Sequence, residues 1–349
     1  MSSRISARQL NRTLLHRQGL LERSQRSVPE LVRHLVGLQA QDTLPPYLSL
    51  AARLTTFDPY DVSRGLADRS LVRLLTLRGT IHLLTAEDAL TLQSWTQPVH
   101  DKEGSHSVNV RPAAHLDRVA FRAAVAEVLA EGPLTVPQLG GALAHRFPDV
   151  PPAALGALAR VATPLVQVPP RGAWKESGPV VYQLADRWMG AALREPDPAA
   201  IVRRYLGAFG PARAADVTTW SGVTRLGPVL AAMDDLVVRE DADGRRLYDV
   251  PGADLVDPDT PAPVRLLGSY DNVWLAHAGR DRVTTPAHRK RWMGVNGGVG
   301  STLFVDGMLE GLWRVTDGRV VVEPFRRLTR PEETELDEEI ARVEALLAR

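Results

Sequence analysis

The sequence predicts an α+β chain, mainly helical, made of three tandem winged-helix units and a C-terminal small β-barrel or sheet. Three observations carry this prediction. The order helix, helix, helix, β-hairpin recurs along the first 250 or so residues. A Pro- and Asp-rich linker, Pro251 to Pro263, follows it. Beyond the linker come only short strands, Gly turns and one acidic helix. The units read as 1–115, 116–195, 196–252 and 264–349, and 349 residues suffice to give them a large buried core.

The first unit is the loosest. Helices are expected at Ser6–Arg17, Pro29–Leu38, Pro46–Leu54 and Pro59–Ala67, then strands at Leu71–Leu75 and Thr80–Leu84. Thr85-Ala86-Glu87-Asp88 reads as a capping box for a further helix, which gives Glu87 and Asp88 structural roles. In the second unit, Leu116–Leu129 carries an apolar face of Val119, Val125, Val128 and Leu129. A short helix (Val136–Ala144) and one starting at Pro151-Pro152 follow, since Pro suits a first helical turn. The hairpin is then Leu165–Val168 with Val180–Leu184. The third unit repeats the order with helices Ala199–Phe209, Ala214–Trp220 and Thr224–Met233. Its strands Leu236–Arg239 and Arg246–Val250 turn at Asp243-Gly244. The last region offers strands Arg265–Leu267, Ser301–Val305, Glu310–Val315 and Val320–Glu323, turns at Asp306-Gly307 and Asp317-Gly318, and the closing helix Glu332–Leu347.

Composition narrows the chemistry. With 44% hydrophobic and 24% charged residues the chain is an ordinary globular protein. It has no cysteine, so disulfides, thiolate nucleophiles and Cys-based zinc sites are all excluded. No His/Glu spacing points to a metal, and no cofactor is expected. The N-terminus lacks a signal-peptide core and no apolar run reaches spanning length, so a cytoplasmic protein without membrane contact is expected. The net charge is +1, but it is unevenly spread. Residues 1–81 hold twelve Arg against six acids, His277–Arg291 is net +4, and the tail 331–349 is net −5. Basic residues are Arg apart from Lys102, Lys175 and Lys290, and Arg suits bidentate phosphate contacts. A nucleic-acid surface fits that distribution.

A winged helix usually reads operator DNA through a polar helix. The candidates here, Pro152–Val161 and Thr224–Met233, offer one long polar side chain each, Arg160 and Arg225. They read as buried scaffold, which leaves a DNA- or effector-binding regulator without catalysis as the weaker alternative. Attention moves to Gln39-Ala40-Gln41, which lies between the stripe Leu31, Leu35, Leu38 and the rigid Pro45-Pro46. In a helix, side chains two apart diverge, whereas in extended chain they share a face. The two amides converge only if the helix ends near Leu38.

The stretch Val36-Gly37-Leu38-Gln39-Ala40-Gln41, followed by Pro46-Tyr47-Leu48-Ser49-Leu50 and Arg78-Gly79-Thr80-Ile81-His82-Leu83, resembles the tandem winged-helix family of bacterial DNA glycosylases, the AlkZ/YcaQ-like family. Ser269-Tyr270-Asp271-Asn272, His277, Arg280 and Val305-Asp306-Gly307 resemble its C-terminal part, so the likeness runs over most of the chain. The resemblance implies a monofunctional glycosylase, monomeric, that removes N7-alkylguanine from double-stranded DNA and in some members unhooks interstrand crosslinks, serving repair or self-resistance to a genotoxic natural product. The family's Gln-apolar-Gln or Gln-apolar-Asp motif maps onto Gln39 and Gln41 as catalytic residues, on the AlkZ side of the family. The family is C-shaped, with a basic concave face and a β-hairpin that reaches into DNA. The match for that hairpin is His277 to Arg291, giving His277, Arg280, Arg282, His288, Arg289, Lys290 and Arg291 as expected DNA contacts, and Arg78, near His82, is expected to touch DNA as well.

The residue chemistry agrees. Breaking an N-glycosidic bond creates an oxocarbenium-like sugar, which enzymes commonly meet with a carboxylate. A Gln amide cannot ionise, so it orients water and offers a dipole but supplies no counter-charge. That suffices for a leaving group already charged, such as N7-alkylguanine, and not for uracil or a normal base. Three further expectations concern neighbouring residues. Asp42 is expected to cap or bind an Arg, and His82, alternating with apolar neighbours, to be a satisfied structural histidine. Gly294–Gly300 lacks the Gly-Lys-Ser/Thr of a phosphate loop and reads as a turn.

Overall fold

The computed structural model describes residues 4–293 and 300–349, so most of the expected glycine turn lies outside the described residues. Among the described residues twelve strands form three antiparallel sheets: β1 (Leu38–Gln39), β2 (Leu71–Leu75), β3 (Ile81–Thr85), β4 (Leu134–Thr135), β5 (Leu165–Gln167), β6 (Val181–Leu184), β7 (Val237–Glu240), β8 (Arg246–Asp249), β9 (Arg265–Leu267), β10 (Ser301–Val305), β11 (Met308–Thr316) and β12 (Arg319–Pro324). Helices cover most of the remainder, and among the described residues none is long and apolar enough to cross a membrane.

The largest sheet runs β1-β3-β2-β5-β6-β4. It joins hairpins that the sequence presents as separate. β2 offers its free edge to β5 through the pairs Arg73↔Gln167 and Leu74↔Val166, which satisfies backbone groups that would otherwise be unpaired. Every residue of β2 and β3 is buried, because helices cover both faces. The helix after β3, Ala86–His106, is capped by Thr85, whose hydroxyl accepts the Asp88 N–H, and carries Pro98 within its 21 residues. Glu87 pairs with Arg33, and the buried Asp88 with Arg204. Helices Val136–Ala144 and Pro152–Ala162 cross closely at Gly140, where a Cβ would strike the Pro152 carbonyl. Pro152–Ala162 is buried along its apolar side, as expected. Its counterpart in the third repeat is shorter, only Gly227–Ala231, with Gly227, Pro228 and Ala231 exposed. Arg225 lies outside that helix at φ 63°, a left-handed conformation that α-helix cannot continue.

β9 to β12 form an open sheet of order β12-β11-β10-β9. Its outer strands do not meet, so of the expected barrel or sheet it is the sheet. The turns Asp306-Gly307 and Asp317-Gly318 have φ of 47° and 76°, and of 51° and 75°, the paired positive values of a two-residue hairpin turn. The acidic helix Arg330–Ala348 packs Leu336, Val343 and Leu346 into the core that also takes Leu48 and Leu50 of helix Pro45–Arg53. A buried ion pair fixes this junction. Arg53 donates two 2.7 Å hydrogen bonds to the Asp271 carboxylate, both side chains are fully buried, and Ser49 Oγ donates a third at 2.8 Å.

Candidate active site around Gln39 and Gln41

The strand that carries the glutamines begins where a helix is forced to stop. Ser27 and Glu30 form a capping box at the start of helix Val28–His34. The helix ends four residues before the expected Leu38. Val36 and Gly37 take φ of 53° and 96°, and the Gly37 N–H returns to the Val32 carbonyl at 3.0 Å. This left-handed closure satisfies a last-turn carbonyl. A β-branched residue such as Val36 pays strain there, on the order of 1–3 kcal/mol. Glycine suits position 37 because φ is 96° there, and a Cβ would also press on Leu84 Cδ2 and the Leu83 carbonyl. Asn272 Nδ2 donates to the Gly37 carbonyl at 3.0 Å, so the Asp271-Asn272 pair anchors the segment directly before β1.

The backbone is extended at Leu38 and Gln39 and bends at Gln41, so Gln39 is buried and Gln41 exposed rather than both facing one way. Gln39 pairs with His82 across β1 and β3. The Ala40 N–H donates to Ile81 O at 2.7 Å, and Ala40 O accepts from the buried Arg73 at 2.8 Å. Gln41 ends the ladder: its Oε1 accepts the Ile81 N–H at 3.2 Å. Gln39 is 6% exposed, and its Oε1 accepts from Arg78 Nη2 at 2.7 Å. Both donors have no accepting capacity, so both oxygen positions are fixed by their partners. The amide oxygens are therefore held by one short segment, Arg78 to Ile81, with a second lone pair left on each.

Arg78 is half-buried at φ 55° in the turn Leu77–Gly79. Besides Gln39 it donates to the Trp220 carbonyl and, at 3.2 Å, to His82 Nε2. His82 Nδ1 lies 3.0 Å from Thr80 O and must donate there, so Nε2 is the acceptor and the ring is neutral. Burial, and then Arg78, push the His82 pKa down to about 3, and this histidine is structurally satisfied as expected. Burial and Arg280 lower Arg78 to about 10, which leaves it charged at neutral pH. Asp42, exposed next to Gln41, makes no hydrogen bond or ion pair among the described residues; its charge raises the nearby Tyr270 pKa after burial has done so.

Gln41 is exposed on the wall of a cavity of about 430 Å³ between the first and second hairpins. Glu103, Arg160, Gln167, Arg171 and Tyr182 also line it. That volume is within the range of small-molecule sites. On the other side of the turn, Arg78, Lys102, Glu103, His106 and Thr224 line a second cavity of about 610 Å³. Arg160, Arg171 and Glu103 reach the site from distant elements, and no local motif marked them.

The basic stretch His277 to Arg291 is not a hairpin. It is a turn followed by helix Pro286–Trp292, started by Thr285 capping the His288 N–H and by Pro286 in the first turn. Its residues separate. His277 is buried, bonded to Phe209 O at 3.1 Å, and pushed down to about 3 by burial and Arg282, with Asp216 opposing. Arg282 donates to Pro211 O at 2.8 Å, and burial lowers its pKa. His288 is half-buried, 2.8 Å from Leu309 O. Arg280, Arg289 and Lys290 line one surface hollow of about 420 Å³. Arg291 lies over the Phe325 ring at 3.9 Å. No group of three or more His, Cys, Asp or Glu placed to hold a metal occurs among the described residues.

The sequence profile of the family described as DNA glycosylase AlkZ-like matches residues 32–346. An interstrand DNA cross-link repair glycosylase of Streptomyces sahachiroi is 29% identical over 350 residues, spanning 92% of this chain and 91% of that relative. The Streptomyces sahachiroi DNA glycosylase AlkZ shares the fold with a TM-score of 0.80 at 24% identity, over 99% of this chain and 98% of that one. With the family profile covering nearly the whole chain, from before the glutamine pair to the last helix, this protein belongs to the AlkZ-like DNA glycosylase family.

Proposed function

We propose that this chain is a monofunctional DNA glycosylase that hydrolyses the N-glycosidic bond of cationic N7-alkylguanine in double-stranded DNA, including guanines joined in an interstrand crosslink. The observation that carries this reading is the pinned Gln39-Ala40-Gln41 tripeptide, whose Gln41 opens onto a cavity flanked by Arg160 and Arg171. Gln41 Oε1, fixed by the Ile81 N–H, keeps a lone pair with which to accept a hydrogen bond from water and hold it towards C1′. Gln39, fixed by Arg78, acts beside it as a preorganised dipole. Neither amide can protonate a departing base, so substrates are restricted to bases that leave as neutral molecules from a charged state.

In this reading the three helix-and-hairpin repeats are winged-helix units with the boundaries expected from the sequence, arranged in a C around the duplex. Of the basic residues, the exposed Arg289, Lys290 and Arg291, with the half-buried Arg280 that lines the same hollow as Arg289 and Lys290, serve as the phosphate contacts. Arg78 serves by positioning Gln39. The buried His277 and the carbonyl-bound Arg282 support the turn beneath them. The protein acts as a monomer in the cytoplasm, where its substrate lies.

The test is base release from duplexes carrying N7-methylguanine, uracil or no lesion. Free N7-methylguanine and an abasic site are expected from the first alone. Efficient uracil removal would overturn the mechanism. Tight binding to one DNA sequence without base release would establish the regulator instead.

A further inference from the structure

We propose that Glu103 is a catalytic carboxylate of this site, accepting the proton that the attacking water gives up. The assignment rests on the glycosidic reading above and adds to it the charge that two glutamines lack. Glu103 lies near the end of helix Ala86–His106 and lines both the cavity of Gln41 and that of Arg78. It sits on the turn that holds both amides: a Cβ at Gly79 would fall on Glu103 Oε2, and Gly79, at φ 68°, is the residue between Arg78 and Thr80. The bare glycine is what admits the carboxylate there.

Two further observations separate Glu103 from an ordinary surface acid. Its side chain makes no hydrogen bond or ion pair among the described residues, so no structural partner accounts for it. It is also the one carboxylate among the described residues lining either cavity, facing Arg160 from helix Pro152–Ala162, Arg171 and Tyr182 across the first, and Arg78, Lys102 and His106 around the second. A cavity lined with cations for a polyanion loses phosphate affinity by holding a carboxylate. Chemistry supplies the compensation. Partial burial raises the Glu103 pKa, and Arg160 draws it back, which suits a group that takes up and releases a proton.

The step balances with no additional reactant. The C1′–N9 bond breaks and its electron pair passes to the cationic guanine, which departs neutral. A water oxygen, oriented by Gln41, bonds to C1′. The proton lost from that water goes to the Glu103 carboxylate and then to solvent. While the bond is breaking, the same carboxylate faces the developing oxocarbenium charge.

The experiment is single-turnover release of N7-methylguanine from duplex DNA across pH, for the wild type, Glu103→Gln and Glu103→Asp. Glu103→Gln should slow release by about 10²-fold and abolish the acid limb of the pH profile, since an amide has no proton to gain. Its DNA affinity should be equal or tighter and its melting temperature unchanged. Glu103→Asp should restore the acid limb and part of the rate. A Glu103→Gln enzyme with the wild-type rate and pH profile overturns this assignment alone. Absence of release by the wild type overturns the glycosidic reading, and this assignment with it.

Discussion

Asp271→Asn should loosen the segment that carries the glutamines, although Asp271 belongs to the opposite end of the sequence. Its carboxylate takes two hydrogen bonds of 2.7 Å from Arg53 and one of 2.8 Å from Ser49, with Arg53 and Asp271 both fully buried. Removing the charge leaves the Arg53 guanidinium buried without a counter-ion, a change that costs about 3–5 kcal/mol. Asn retains the shape and one accepting oxygen, so the lower part of that range, about 3 kcal/mol, is expected. The loss also releases Asn272 from Gly37 O, the anchor just before β1. Urea unfolding of wild type and variant, extrapolated linearly to water, measures the difference. A loss below about 1 kcal/mol, the value of an exposed pair, would refute the reasoning.

Two other predictions concern titration and mechanism. His82 and His277 are neutral in the fold with pKa values near 3, against 6.5 unfolded, so on acidification the unfolded chain binds protons first. The His82 contribution is intact above 6.5 and is lost progressively as the pH falls towards 3, by about 2 kcal/mol at pH 5, with His277 acting in the same direction, and the melting temperature should drop accordingly. Constant stability from pH 7 to 5 would contradict this. Because a Gln amide cannot form an imine, borohydride should trap no protein–DNA adduct and the product should remain an uncleaved abasic site. A trapped adduct would implicate Lys102, which lines the cavity beside Arg78.

Much of the fold was legible because it is local. Helix Val136–Ala144, strands β9 and β10 and the two Asp-Gly turns fall where periodicity and turn chemistry place them. The end of the helix before Gln39 was legible in the same way, although β1 stops at Gln39 and the backbone bends at Gln41, so one glutamine is buried and the other exposed. What escaped depends on distant contacts. The β2–β5 pairing that unites two hairpins joins residues almost a hundred apart in sequence, and no local pattern encodes it. The early end of helix Val28–His34 follows from positive φ at Val36, which a β-branched residue does not advertise. The hairpin implied by the family resemblance does not fall on the basic stretch, where Thr285-Pro286 is a helix start. Glu103 is anonymous in sequence because its environment comes from Gly79, Arg160 and Gln41, on three other elements.

The central claim is that Gln41 performs the chemistry, and a single variant addresses it. Gln41 is exposed and its side chain caps only one N–H, so Gln41→Ala should fold, whereas Gln39→Ala would also free the half-buried Arg78. Single-turnover release of N7-methylguanine by Gln41→Ala should fall by about 10²–10³-fold, with DNA affinity and melting temperature unchanged. Release at the wild-type rate by the folded variant would contradict the account.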